Sequence, residues 1–175
     1  MFSDPIKNVE QFGLKPGAVV ADLGAGSGHY SMAAAKVVGD SGRVYAIDIQ
    51  KDMATQVKND ANKLGIFHVE AVWGDVEKVG GTKLRDSSVD NAIISNLMFQ
   101  VTDKVSTAKE AFRILKPSGS LLFVEWSDSF GGIGPEQSVV FVHDKAVELF
   151  ASVGFVLDHE IDAGSHHYGI VFKRP

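Results

Sequence analysis

Cysteine does not occur among the 175 residues, which excludes disulfides, thiolate metal sites and a cysteine nucleophile. Basic charge is not in excess either: 17 Lys and Arg face 22 Asp and Glu, for a formal net charge of -5. That balance disfavours charge-driven binding to nucleic acid or anionic lipid. No stretch approaches the roughly 20 consecutive apolar residues of a membrane-spanning helix. Asp4 and Pro5 stand where a secretory signal needs a basic start and an apolar run. Repeats and low-complexity segments are lacking. These absences lead to the expectation of a soluble, cytoplasmic chain, and the composition, 45% hydrophobic and 22% charged, is ordinary for a globular protein. Glycine is what the sequence has in excess: 18 residues, above the typical share of about 7%.

Strand-like and helix-like segments alternate along most of the chain. Apolar or β-branched runs at Ala18–Leu23, Arg43–Ile49, Phe67–Trp73, Val89–Leu97 and Ser120–Trp126 read as strands. Between them, Gly28–Val38 and Lys51–Leu64 have helical character, the latter with Met53, Val57, Ala61 and Leu64 on one face. Asp103 can cap a third helix through Leu115, and Lys116-Pro117-Ser118-Gly119 stops it. A glycine-containing stretch from Ser127 to Pro135 leads to a helix at Asp144–Val153, with His143 placed just before it. Two closing runs, Phe155–Ile161 and His167–Phe172, are separated only by a hairpin-length link, so the last strand should run antiparallel. The pattern predicts an α/β fold: a three-layer, doubly wound, Rossmann-like sheet of seven strands, mostly parallel. One domain over residues 1–175 is expected, with 1–17 as a short N-terminal cap. Phe2, Ile6, Val9 and Phe12 are spaced for an amphipathic flap in that cap.

The most informative segment is Val19-Val20-Ala21-Asp22-Leu23-Gly24-Ala25-Gly26-Ser27-Gly28. A buried strand ends in an acid, then alternating glycines precede a helix. Glycine serves where the backbone turns sharply, or where a ligand approaches the main chain without meeting a Cβ. In a parallel sheet such a turn lies beside the crevice where strand order reverses. The dinucleotide fingerprint G-x-G-x-x-G would need glycine at position 29, where His29 stands, and the Gly-Lys-Ser/Thr of a P-loop is absent. Asp22 suits a ligand with a cationic group better than one bearing pyrophosphate. Asp48 ends the second strand about 20 residues on, where a carboxylate can accept hydrogen bonds from ribose hydroxyls. Together they favour an adenosine ligand.

Val20-Ala21-Asp22-Leu23-Gly24-Ala25-Gly26-Ser27-Gly28 resembles the first motif of the class I S-adenosylmethionine-dependent methyltransferases. Asp48 in Tyr45-Ala46-Ile47-Asp48-Ile49 resembles that family's ribose-binding acid, and Gly74-Asp75-Val76 its adenine-contacting motif. Ala111 to Leu122 resembles the segment leading into its fifth strand. The matches run in family order from about residue 18 to 126, and within the family the sequence is most similar to the ubiquinone/menaquinone-biosynthesis branch.

The resemblance implies S-adenosylmethionine as cofactor and methyl transfer to a small-molecule acceptor. It implies cofactor binding by Asp22, Gly24, Ala25, Gly26, Gly28, Asp48, Ile49, Gly74, Asp75, Val76 and Asn96. Asn96 and the following Leu97-Met98-Phe99-Gln100 are expected to face the acceptor, with Gln100 and Trp126 as substrate residues. Several groups could act as base, since histidine titrates near neutral pH. His29, His143 and Glu125 are the candidates, with the His166-His167 pair beside them. No cluster has metal-ligand spacing, so no metal is expected. Family members that enclose small substrates usually carry a longer cap or an insertion after the fifth strand, and here both are short. The acceptor side is therefore open, completed by a second subunit as a homodimer, or built for a bulky partner. Rival readings are a protein or RNA methyltransferase using the open edge, a non-catalytic S-adenosylmethionine-binding protein, and a nicotinamide-dependent oxidoreductase.

Overall fold

The central strands of the sheet are apolar because helices cover both of its faces, whereas the edge strand Val156–Ile161 is exposed. In the computed structural model, which describes residues 3–175, β1 (Val19–Leu23) places Val20, Ala21 and Leu23 wholly out of solvent. It pairs in parallel with β2 (Arg43–Asp48) on one side and β4 (Val89–Ser95) on the other. With β3 (Val69–Trp73), β5 (Leu115–Trp126), β6 (Val156–Ile161) and β7 (His167–Lys173), the sheet has the order β3-β2-β1-β4-β5-β7-β6. β7 runs antiparallel to both of its neighbours, as the short link before it requires. Strand order reverses between β1 and β4, so a crevice opens beyond their carboxyl ends.

One face is covered by α1 (Pro5–Phe12), α2 (His29–Val38) and α3 (Lys51–Lys63), the other by α4 (Lys104–Ile114) and α5 (His143–Val153). Phe150, Phe172 and Phe123 form the aromatic centre of the second layer, with Phe150 and Phe172 centroids 4.8 Å apart. Full burial of such a ring contributes about 1.5–3 kcal/mol. On the first face, α1 is short but bounded. Asp4 Oδ1 accepts the Ile6 amide at 3.0 Å, Pro5 occupies the first turn, and left-handed Gly13 ends the helix. Val9 and Phe12 pack into the core and not over the site as a flap would, while Ile6 stays 53% exposed on the crevice side. Phe2, the remaining member of that flap, lies outside the described residues.

Several boundaries differ from the expectation by one or two residues. Two further differences involve residues singled out above. His143 is the first residue of α5 rather than a residue before it. β5 begins at Leu115, immediately after α4, instead of at Ser120. Leu115 pairs with Val89, and Asn91 next pairs with Ser120, so residues 116–119 are accommodated as a break in register. Lys116 Nζ to Asp90 Oδ1 at 2.7 Å holds this break, and Ser118 adopts a positive φ of 65°. The turn chemistry of Lys-Pro-Ser-Gly is present; strand pairing continues on either side of it. Among the described residues, no helix is long and apolar enough to cross a membrane.

Candidate active site

The glycine turn is pinned to its neighbouring strand. Gly24 and Ala25 both donate their amides to the Ile47 carbonyl at 2.9 Å. Gly24 needs its left-handed φ of +74°, and a Cβ there would stand 2.7 Å from Leu97 Cδ1. Gly26 (φ +52°) is different, because a Cβ there would meet nothing within 4 Å. Its space opens into the crevice, where a ligand can reach bare backbone. Gly28 caps α2 and packs on Val57.

Asp22 is buried just below this turn. Ser31 Oγ, on α2, donates to its Oδ2 at 2.6 Å, while Oδ1 has no partner. Burial pushes its carboxyl up to about 6, the Ser31 hydrogen bonds opposing and the Asp48 charge adding to the rise. Asn96, directly after β4, adopts a left-handed backbone (φ 49°) and donates its amide to Val124 O at 2.9 Å. Its side-chain Oδ1 is also buried and without a partner. Asp48 is engaged by backbone on both oxygens: Gly26 N donates to Oδ2 at 2.9 Å and Gln50 N to Oδ1 at 2.8 Å. It thus ties the glycine turn to the start of α3.

Two clefts meet at the turn, and Gly24, Gly26 and Gln100 line both. The larger, about 670 Å³, also contains Ala25, Asn96 and His29 and runs on along α2. The smaller, about 250 Å³, contains Asp48, Ile49, Met53, Asp75, Val76 and Leu97. Asp75 is held in place by the Glu77 amide (3.0 Å) and by Lys78 Nζ (3.0 Å). The two clefts therefore bring together most of the residues singled out in the sequence. Asp22 and Gly28 support the turn from below without lining either cleft.

Other expected residues are placed elsewhere. Gly74 lines neither cleft; a Cβ on it would come within 2.6 Å of Gly81 O, so its role in the structure is close packing. The Trp126 ring packs on Gly134 and lies 4.2 Å from the His167 ring, outside both clefts. Glu125 is fully buried, and its two oxygens accept the Met98 amide (2.8 Å) and the Trp126 amide (2.9 Å). Burial pushes its carboxyl up to about 7 against those backbone hydrogen bonds. His143 is bound to Asp144 (3.0 Å) and Glu160 (2.9 Å), and neither cleft includes it. His166 Nδ1 meets Asp128 at 2.8 Å. Of the candidate bases, His29 is the one that lines the larger cleft, with Nδ1 3.0 Å from Ser27 Oγ. Among the described residues there is no group of three or more His, Asp or Glu that could hold a metal. Sequence reasoning missed Ser31 and Glu77; Glu77 Oε2 accepts the Thr102 and Asp103 amides at 2.8 and 2.7 Å. Glu77 carries no local signal because its partners lie 25 and 26 residues away, whereas Ser31 lies nine residues from Asp22, at the start of α2 just beyond the glycine turn.

Residues 14–153 match the family described as a methyltransferase domain. The chain belongs to this methyltransferase-domain family. Its sheet order and antiparallel last strand are those of the class I methyltransferase fold. It is 32% identical over 116 residues to the ubiquinone/menaquinone biosynthesis C-methyltransferase UbiE of Haemophilus ducreyi, covering 66% of this chain and 44% of that one. It is 35% identical over 115 residues to an arsenite methyltransferase of Aquipseudomonas alcaligenes, covering 63% of this chain and 33% of that one. The chain thus spans less than half the length of these curated relatives. The crystal structure of a SAM-dependent methyltransferase from Aquifex aeolicus superimposes with a TM-score of 0.90 at 28% identity, covering 99% of this chain and 91% of that one.

Proposed function

We propose that this methyltransferase-domain chain transfers a methyl group from S-adenosylmethionine to a small-molecule acceptor, and that it does so in the cytoplasm. One observation carries the reading: Asp22 Oδ1 and Asn96 Oδ1, at the ends of the two strands that flank the crevice, are buried acceptors without a donor. Each such orphan costs about 1–3 kcal/mol. An ammonium group beside the turn, such as the amino-acid end of S-adenosylmethionine carries, would offer a donor to Asn96 Oδ1 in the larger cleft and a compensating charge to Asp22 beneath it. Relatives named for quinone biosynthesis and for arsenite support a small acceptor.

When bound, the cofactor would supply an activated methyl group on a sulfonium sulfur for transfer to the acceptor, the C–S electron pair staying with sulfur. This chain's residues bind, orient and exclude water. Gly26 allows close approach at the bare backbone, and Asp48, already rigid through two amides, presents its remaining lone pairs to ribose hydroxyls. Asp75, Val76 and Ile49 line the smaller cleft for the adenine. Asn96 and Gln100 stand where this cofactor meets its acceptor, and holding the two in register supplies the rate. In the His29 tautomer whose Nδ1–H donates to Ser27 Oγ, Nε2 would be the atom that takes a proton from the acceptor. A labelled-methyl transfer screen against pooled metabolites, total protein and total RNA tests the proposal. Label should move into the metabolite pool. Transfer into protein or RNA alone would replace the acceptor class, and transfer into none would favour a cofactor-binding protein without catalysis.

A further inference from the structure

The larger cleft does not end at the glycine turn. It continues along α2 over His29, Met32, Ala33 and Lys36, four positions on one face of the helix. At 1.5 Å per residue that stripe runs about 10 Å. The opposite wall is the start of α1, where Pro5 and Ile6 supply apolar surface. This wall is built rather than draped. Asn8 Nδ2 donates to Tyr30 OH at 2.7 Å and to Ser3 Oγ at 2.9 Å, locking α1 to α2. Gln11 exchanges hydrogen bonds with the Asp162 backbone, fixing the other end of α1.

The charges in this groove are ordered. Asp4 lies on the α1 wall, but its Oδ1 is turned onto the helix start, accepting from the Ile6 and Lys7 amides. Lys36 is exposed at the far end and has no ion pair among the described residues. From the turn outward the groove reads imidazole, thioether and methyl, then ammonium.

We propose that this groove is the acceptor subsite and that the acceptor is a small amphipathic organic acid. Its reacting end lies by His29 and the glycine turn, its apolar body lies against Ile6, Met32 and Ala33, and its anionic group pairs with Lys36. The assignment rests on reading the adjoining turn as a methyltransferase cofactor site. It also moves the acceptor from the end of β5, where Trp126 is turned toward His167, to the α1–α2 groove.

The test uses the full chain saturated with S-adenosylhomocysteine, labelled at its methionine ε-methyls, with Met32 assigned through Met32→Leu. Octanoate serves as the anionic probe and octanamide as its neutral match. Octanoate should shift the Met32 resonance saturably. Octanamide, and octanoate on Lys36→Gln, should each bind more weakly, by up to about fivefold, the upper range of one exposed ion pair. Lys36→Glu should weaken octanoate further. No saturable shift with octanoate, equal binding of the amide, or no effect at Lys36 would each overturn the groove assignment. Calorimetry with S-adenosylhomocysteine on the same sample separates the two claims. Absence of that heat defeats the cofactor reading, while normal heat without an octanoate response defeats the groove alone.

Discussion

The buried Glu125 carboxylate accepts the Met98 amide at 2.8 Å, joining the end of β5 to the loop that follows β4. That loop carries Leu97, which closes on Gly24, and Gln100, which lines both clefts. Glu125 thus shapes the site through backbone it does not share with the ligand. Glu125→Ala leaves the Met98 and Trp126 amides buried without acceptors, at about 1–3 kcal/mol each. Urea unfolding should show a loss of that order; a loss below about 0.5 kcal/mol would contradict the bracing role.

The same carboxyl gives a pH dependence of stability. Burial raises it from the ordinary 4.5 to about 7 in the folded state. The native chain then holds this proton more tightly than the unfolded chain, so the contribution is fully present below about pH 4.5 and is lost as pH rises through about 7. Between about pH 8 and pH 5, wild type should therefore gain stability relative to Glu125→Gln, which has no such proton. A gap that stays constant with pH would argue against a buried, raised carboxyl.

Asp22 gives a second pH signature, this time in binding. Its carboxyl, raised to about 6 by burial beneath the turn, must be ionised for its charge to attract a ligand's ammonium group. Affinity for S-adenosylhomocysteine should be full above about pH 7 and fall as pH drops through about 6, approaching tenfold per unit. In Asp22→Asn the affinity should be lower and this pH dependence absent. A wild-type profile flat from pH 5 to 8 would show that the Asp22 charge does not act on the ammonium.

The glycines separate stability from binding. Gly24→Ala forces a Cβ to within 2.7 Å of Leu97 in a left-handed backbone, so its unfolding midpoint should fall clearly. Gly26→Ala meets no protein atom within 4 Å, so its stability loss should be limited to backbone strain of about 1 kcal/mol. Its S-adenosylhomocysteine affinity should nevertheless drop at least about tenfold, because the Cβ projects into the ligand's space. Equal affinity for wild type and Gly26→Ala would remove this residue from the site.

Much of this arrangement was legible from the chain because it depends on local pattern. Apolar runs bounded by turn residues marked the strands, and three alternating glycines after a strand-ending acid marked the crevice. The sequence marks Asp48 as a candidate, but not its bonds to Gly26 and Gln50, since they form only when β2 lies beside β1. Gly74 adjoins the cleft-lining Asp75 and Val76 but is itself packed against Gly81, a contact set by the fold of residues 75–82 and not by the local sequence. Trp126 and Glu125 are adjacent in sequence at the end of β5, yet one turns to His167 and the other into the protein. The alternation of a strand predicts opposite faces but not what each face meets. The α1–α2 groove had no local signal beyond the flap spacing, because Asn8, Tyr30 and Ser3 meet across the chain.

Titration calorimetry of the unmodified chain with S-adenosylhomocysteine, and in parallel with NAD, tests the central claim most directly. The account predicts saturable one-site heat with S-adenosylhomocysteine and none with NAD. Heat with NAD and none with S-adenosylhomocysteine would contradict it.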